Sequence, residues 1–159
     1  MEIGIIGARA RVPALESTDI FSDRLILVVP PRHPWAKVST ISLEDLATQP
    51  FILREEGSGS RTVMNEELMR HGFNPAALSP VAEIDSSQAV RQAVKAGLGI
   101  AILSSLAVAE DLEKGSLVQV PIEGVDIRRP FYLVQRKNRQ LSPLAQAFLE
   151  HLRSSGPPA

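Results

Sequence analysis

Cysteine is absent from the 159-residue sequence. Its absence excludes disulfides, thiolate metal sites and cysteine nucleophiles, and it is typical of proteins in a reducing cytoplasm. No apolar run approaches the roughly eighteen residues of a membrane span. The opening residues, MEIGIIGARA, also lack the basic start and long apolar stretch of a signal peptide. We therefore expect a cytoplasmic chain without a membrane partner.

Neither sign of charge dominates the sequence. Seventeen Lys and Arg residues stand against 18 Asp and Glu residues, which gives a net charge of -1. A chain without an overall positive field does not hold a polyanion, so we do not expect this one to bind DNA by itself. Its length and its 44% hydrophobic content suit one ordinary domain or two small lobes.

Apolar runs of strand length alternate with stretches of helical period, a pattern typical of α/β proteins with a largely parallel sheet. Strands are predicted at residues 3–6, 25–29, 51–53, 81–84, 100–103, 117–120 and 131–134. Helices are predicted at residues 43–47, 61–71, from about 86 to 96, at 106–114 and from 143 to about 152. Gly72, Gly97 and Gly115 are expected to end three of these helices in a left-handed conformation.

The most informative motif is the turn REEGSGSR, residues 54–61, where a strand runs into glycines and hydroxyls that open a helix. Amides at a helix N-terminus and the hydroxyls of Ser58 and Ser60 suit a carboxylate, sulfate or phosphate. Arg61 either adds a charged donor or points to solvent. The alternative is that one serine merely caps the helix while the glycines relieve the backbone. A nucleotide phosphate loop is disfavoured because no Lys precedes the terminal serine.

Other patterns give little support for catalysis or metal binding. The segment AGLGIA, residues 96–101, lies between a helix and a strand, the reverse of the order in a dinucleotide fingerprint, so we interpret it as a turn. The alternative is that its glycines let the backbone approach a ligand. The three histidines are too scattered for a metal site. Adjacent Glu55 and Glu56 suggest a solvated charge run, and Trp35 a packed loop aromatic. No nucleophile stands in a Gly-x-Ser-x-Gly elbow.

Four segments, taken in order, resemble the effector-binding domain of LysR-type bacterial transcriptional regulators. They are LILVVPPRHPWA at 25–36, FILREEGSGSR at 51–61, SQAVRQAVKAGLGIAIL at 87–103, and the ending FYLV at 131–134 with LSPLAQAFLEHL at 141–152. The turn is similar to the Gly-Ser-Gly-Thr-Arg variant common in part of that family. Ser60 takes the place of the threonine and keeps its hydroxyl.

The resemblance implies a periplasmic-binding-protein-like (type II) α/β fold of two lobes, the second complete and the first partial. Residues 1–20 would be a remnant of lobe I, residues 21–136 would form lobe II, residues 137–153 would supply the C-terminal helix of lobe I, and residues 154–159 a disordered tail. The winged helix-turn-helix, its linker helix and the opening half of lobe I would then be missing.

The family also implies a function, that of binding a small anionic metabolite or inorganic anion in a cleft without a cofactor or metal. Carried over residue by residue, the effector-binding positions are Ser58, Gly59, Ser60, Arg61, Gly7 and Ala8, with Gly99 and Ala101 as weaker candidates. A homodimer is expected, with DNA bound only through a domain absent from this chain. Three alternatives remain: a solute-binding domain of a transport or sensor system with the same fold, a fragment of a two-lobed enzyme, and a dimerisation module.

Overall fold

The computed structural model describes residues 2–7, 10 and 12–155. Within these ranges the strands are β1 (Ile3–Ile6), β2 (Leu15–Val29), β3 (Pro50–Arg54), β4 (Ser79–Ile84), β5 (Ala101–Ser104), β6 (Val118–Val120) and β7 (Ile127–Arg136). The helices are α1 (Gly59–Arg70), α2 (Ser87–Lys95), α3 (Ser105–Glu113) and α4 (Pro143–Ser155). Short 3-10 helices cover Pro34–Lys37, Glu44–Thr48 and Pro75–Ala77. The predicted α/β class is confirmed.

The backbone contacts divide the chain into two compact units. The first unit comprises Met1–Asp23 and Arg129–Ala159, and the second comprises Arg24–Arg128. The sequence had suggested a second lobe of residues 21–136. The division by contacts places Arg129–Arg136, the last eight residues of β7, in the first unit, and four of them, residues 132–135, pair with β1.

The first unit is built on the antiparallel pair of β1 and β7, with Ile3 opposite Gln135 and Ile6 opposite Tyr132. The final helix, α4, buries Ala145 and Leu149. Its start was predicted from Ser142, and the Ser142 hydroxyl does accept the amide of Ala145 at 3.3 Å. Residues 156–159 of the expected disordered tail lie outside the described residues.

The second unit has a sheet in which the end of β2 is central. Leu27 is paired antiparallel with Ile102 of β5 on one edge and with Val120 of β6 on the other. β3 and β4 form a parallel pair, and β3 is joined to the residue before β5 by a parallel bridge between Phe51 and Ile100. The expectation of a largely parallel sheet is therefore wrong for the described pairings. The described parallel pairings are those of β3 with β4 and the single bridges Phe51–Ile100 and Ile41–Ile122. The strands β3 and β4 are each followed by a helix, as parallel strands need a crossover connection.

Alternation along β2 places the core of the second unit on both faces of the sheet. Leu25, Leu27 and Val29 belong to one buried cluster, which also contains Met64 and Leu68 of α1. The intervening Ile26 and Val28 belong to the other, together with Val90, Ala93 and Val94 of α2 and Val108 of α3. The two clusters hold the helices against the sheet and thereby position the N-terminus of each helix.

Candidate binding site at the carboxyl edge of the second unit

Three helices begin at the carboxyl ends of three strands that share one direction. α1 follows β3, α2 follows β4 and α3 follows β5. β3 runs parallel to β4 and, through the Phe51–Ile100 bridge, to the strand that leads into β5. The N-termini of the three helices therefore meet one edge of the sheet, where the positive ends of the helix dipoles favour an anion.

A tight turn connects β3 to α1. The Ser58 amide donates to the Glu55 carbonyl oxygen at 3.2 Å, and Gly57 has a φ of 87°. An L side chain rarely adopts this left-handed conformation, so the turn needs a glycine at position 57. The next glycine has open space around it, because a Cβ built on Gly59 meets no atom within 4 Å.

Serines stand at the N-caps of all three helices, but their hydroxyls act differently. Ser86 accepts the Ala89 amide at 3.3 Å, and Ser104 accepts the Ala107 amide at 3.3 Å, as ordinary caps do. Ser58, at the N-cap of α1, makes no side-chain capping hydrogen bond although only 7% of its surface is exposed. The Ser58 hydroxyl is therefore not engaged in capping the helix and is suited to a ligand at this turn.

Arg54 closes β3 beside this turn. Its Nε and Nη2 donate to the two carboxylate oxygens of Glu55 at 2.7 and 2.9 Å, forming a bidentate ion pair. The same guanidinium reaches the neighbouring strand and helix, where it donates to the Asp85 carbonyl oxygen at 3.2 Å and to the Ser87 hydroxyl. A charged group thus joins the ends of β3 and β4 to the start of α2.

The Arg54–Glu55 pair determines the charge state of the turn. The hydrogen bonds from Arg54 lower the pKa of the Glu55 carboxyl below its ordinary value, despite a smaller opposing effect of desolvation. Glu55 is therefore ionised at neutral pH and neutralises the adjacent guanidinium. Glu55 is partly exposed and is also paired with Arg54, a contact that the sequence did not predict. Glu56, the next residue, is exposed as expected.

Arg61 points neither to solvent nor to the amides of the turn. Its Nη1 donates to the Arg54 carbonyl oxygen at 2.8 Å and to Oε2 of Glu83 on β4 at 2.7 Å. Its side chain is 16% exposed. Arg61 therefore connects the end of β3 to β4 and stabilises the start of the turn that follows β3.

The structure brings some of the predicted binding residues together. Ser58, Gly59, Ser60 and Arg61 share the first turn of α1 and its cap. Gly7 follows β1 in the first unit, where a Cβ would lie 3.8 Å from Cδ of Arg129. Ala8 lies outside the described residues.

The other two predicted positions lie at the opposite edge of the sheet. Gly99 adjoins Pro50, at the amino end of β3, and a Cβ on it would lie 2.7 Å from the Pro50 carbonyl oxygen. Ala101 is fully buried in the core. Since β3 runs from Pro50 to Arg54, about 13 Å of strand separates Gly99 from the Ser58 turn. Gly99 and Ala101 are not placed beside the α1 turn.

Sequence reasoning did not single out Arg54 and Glu55 as a pair. An Arg-Glu dipeptide at the end of a strand gives no signal of its own, since neighbours in a strand point to opposite faces. Only the proximity of Asp85 and Ser87, more than thirty residues away, shows where the guanidinium lies.

Metal ligands are not clustered in the described part of the chain. No group of three or more His, Asp or Glu side chains within residues 2–7, 10 and 12–155 is arranged to hold a metal ion. In the same ranges no helix combines the length and the apolar character needed to cross a bilayer.

Comparison with known proteins gives a consistent result. The family model for the LysR substrate binding domain matches residues 1–157. The chain is 34% identical over 160 residues to the RuBisCO operon transcriptional regulator of Allochromatium vinosum, covering 97% of this chain and 50% of that protein. It is 38% identical over 128 residues to the transcriptional activator CmpR of Synechocystis, covering 80% and 41%. The chain thus spans about half the length of these curated relatives.

One relative is named as a transport protein and not as a regulator. The phosphonates import ATP-binding protein PhnC of Anaeromyxobacter dehalogenans is 37% identical over 161 residues, which cover 99% of this chain but 32% of that protein. The regulators outnumber it among the relatives described, so the transport alternative is not favoured.

Solved structures share the fold. The regulatory domain of CcmR from Synechocystis, in complex with 2-PG, superposes with a TM-score of 0.85 and 26% identity, covering 98% of this chain and 73% of that one. The effector-binding domain of QuiR in complex with shikimate gives 0.80 and 22%, covering 98% and 71%. The fold is thus that of the periplasmic-binding-protein-like (type II) effector domains. With a family match over nearly its whole length, this chain belongs to the LysR substrate-binding domain family.

Proposed function

We propose that this chain is the ligand-sensing part of a transcriptional regulator, and that it binds a small anionic metabolite at the start of α1. The observation that carries the proposal is Ser58, which is 7% exposed at the N-terminus of a twelve-residue helix and whose hydroxyl makes no capping hydrogen bond. The positive end of the α1 dipole favours an anion at the same place.

The comparisons support an anion that carries phosphate. The CcmR regulatory domain, 26% identical to this chain, was solved in complex with 2-PG. Relatives such as the RuBisCO operon regulator and CmpR are transcriptional regulators. We therefore propose a phosphorylated small acid as the effector class, and we propose that its binding changes how the regulator binds DNA. We assign no catalytic role to the chain. We also propose that the protein is cytoplasmic and forms a homodimer.

The test is calorimetric titration of the chain with 2-phosphoglycolate, with glycolate and inorganic phosphate as partial ligands. Binding to the native state also raises the free energy of unfolding, by about 2.7 kcal/mol at a hundredfold excess over Kd, and therefore raises the melting temperature. We expect 2-phosphoglycolate to bind more tightly than either part. An absence of binding by all three would contradict the proposal.

Two serine variants separate binding from helix capping. Ser58→Ala should weaken binding at least tenfold with little change in melting temperature, because this hydroxyl makes no capping bond. Ser86→Ala is the matched control, since its hydroxyl does cap α2 and its loss should lower stability by about 1 kcal/mol. If Ser58→Ala destabilises the chain as Ser86→Ala does and leaves affinity unchanged, Ser58 is structural.

A further inference from the structure

Arg54 is the strongest charged donor at the carboxyl edge of the second unit, and it is already engaged by a carboxylate of its own chain. Glu55 receives two parallel hydrogen bonds from the guanidinium, at 2.7 and 2.9 Å. This fork geometry is the one in which arginine binds a carboxylate or a phosphate of a ligand. The partner, however, is the adjacent residue in the sequence.

The two members of the pair differ in how they are held. Arg54 is 17% exposed and is fixed from the side of β4 by the Asp85 carbonyl oxygen and the Ser87 hydroxyl. Glu55 is 35% exposed, lies outside β3 and is the first residue of the turn that ends at Ser58. Arg54 therefore keeps two further partners when Glu55 is displaced, whereas the more exposed Glu55 carboxylate is held at this site by Arg54.

The position of the pair matches the proposed anion site. Arg54 and Ser58 stand at the two ends of the four-residue connection between β3 and α1. Arg61 fixes that connection by donating to the Arg54 carbonyl oxygen at 2.8 Å. An anion bound at the first turn of α1 would be separated from Arg54 along the chain only by this connection, which carries Glu55 as the group that competes for the guanidinium.

The following inference rests on the proposed function. We propose that Glu55 is an internal stand-in for the effector: its carboxylate binds Arg54 in the unliganded protein and is displaced when a phosphate or carboxylate of the effector binds the guanidinium. Arg54 is thereby the charge-recognising residue of the site, and Glu55 sets a threshold for binding. A neutral or cationic molecule gains nothing by displacing Glu55, so the pair also selects for anions.

The sequence provides a matched control for this proposal. Glu55→Gln and Glu56→Gln remove one negative charge each at neighbouring positions, but only Glu55 is paired with Arg54. If the loss of a negative charge only reduces repulsion of the anion, both variants should bind the anion more tightly. If the anion displaces Glu55 from Arg54, only Glu55→Gln should bind it more tightly.

The experiment is calorimetric titration of the wild type, E55Q, E56Q, R54Q and the R54Q/E55Q double variant with 2-phosphoglycolate. We expect E55Q to bind at least fivefold more tightly than the wild type, and E56Q to differ from it by less than twofold. R54Q should bind at least tenfold more weakly, and E55Q should give no gain in the R54Q background. If R54Q does not fold, R54K replaces it in the test. R54K keeps the positive charge but cannot form the two parallel hydrogen bonds of a guanidinium, so it should also bind more weakly than the wild type.

The outcomes separate this inference from the proposed function. Equal affinities of E55Q and E56Q, or a gain from E55Q that persists in the R54Q background, would overturn the stand-in while leaving the binding site intact. If neither the wild type nor any variant binds the probe, the proposed function fails, and the stand-in fails with it.

Discussion

Gly99 lies directly against Pro50: a Cβ on the glycine would come within 2.7 Å of the Pro50 carbonyl oxygen and 3.2 Å of Cγ1 of Ile52. The same carbonyl oxygen accepts the Ile100 amide at 2.9 Å, and the Ile100 carbonyl accepts the Ile52 amide at 2.8 Å. The close approach of two backbones at Gly99 therefore joins the parallel pair β3 and β4 to β5.

Gly99→Ala should destabilise the chain by about 1–3 kcal/mol, the usual cost of forcing a methyl group into a packed interior. Backbone atoms cannot move aside as a flexible side chain does. Urea unfolding measures the loss. Gly4→Ala is the control, because the added Cβ would meet only Cγ2 of Val134 at 3.4 Å, an ordinary contact. A Gly99→Ala variant as stable as Gly4→Ala would show that the strands separate easily here.

The buried carboxylate of Asp111 connects α3 to α2. It accepts Lys95 Nζ and the Ser116 hydroxyl, each at 2.7 Å, and lies 3.2 Å from Nε of Arg91. Its side chain is 7% exposed. The hydrogen bond from Lys95, followed by that from Ser116 and the charge of Arg91, lowers the pKa of Asp111 although desolvation opposes the shift.

Asp111→Asn should cost about 3 kcal/mol at neutral pH, because two cations lose their buried partner. A lowered pKa in the folded state means that the carboxylate stabilises the protein fully above its unfolded pKa, about 3.9. The stabilisation is lost as the pH falls through the folded value. Chemical unfolding from pH 7 to pH 2 should therefore show the gap between wild type and variant closing below about pH 4.

Glu110→Gln is the control for this pH dependence. Glu110 pairs with Lys114 on the surface of α3, where its side chain is 69% exposed. A screened surface pair contributes little, so this variant should follow the wild type at every pH. A gap for Asp111→Asn that stays constant down to pH 2 would mean that the carboxylate does not act through its charge.

Local signals were enough to predict where most elements begin and end. Gly72, Gly97 and Gly115 were predicted to end helices, and their φ values of 85°, 80° and 65° confirm left-handed C-caps. The serine at 142 was predicted as a cap and is one. Such features depend on the conformational preferences of a few adjacent residues, which the sequence displays directly.

Features that depend on distant pairing were missed. The polar half of β2, LESTDIFSDR at 15–24, was not predicted as strand because it is mostly exposed or half-buried and has little apolar alternation. Its extended form comes from its neighbour β7 in the sheet. The contact of Gly99 with Pro50 could not be predicted either, because the register of β3 against Ile100 cannot be deduced from either segment alone.

His33 caps the short helix Pro34–Lys37 with its ring. The Trp35 amide donates to Nδ1 at 3.1 Å, so the ring proton resides on Nε2, which donates to Oε1 of Gln49 at 3.2 Å. His33→Ala should lower stability by about 1 kcal/mol, as the loss of a cap usually does. The fluorescence of Trp35, the single tryptophan, reports unfolding. His33→Asn keeps an acceptor and should lose less; equal losses would assign the effect to ring packing on Trp35.

In the first unit, Asp23 and Arg129 form a buried ion pair. Nη2 of Arg129 lies 2.8 Å from Oδ2 of Asp23, whose side chain is 1% exposed. The guanidinium also stacks over Phe131, 4.6 Å from the ring centroid, and Phe131 stacks on Phe21 at 4.7 Å. The pair stands where the chain leaves the first unit, after Asp23, and where it returns, at Arg129.

Arg129→Leu should destabilise the first unit by about 3 kcal/mol, since a buried carboxylate is left without its cation. The double variant Asp23→Leu/Arg129→Leu should recover most of that loss, because two apolar groups remove the desolvation cost of both charges. Arg128→Leu is the control: Arg128 pairs with Asp126 at the surface and is 63% exposed, so its loss should change stability by at most about 0.5 kcal/mol. Urea unfolding of the wild type, Asp23→Leu, Arg129→Leu and the double variant gives the coupling between Asp23 and Arg129. Additive losses in the double variant would mean that the two side chains stabilise the unit separately and that their ion pair contributes nothing.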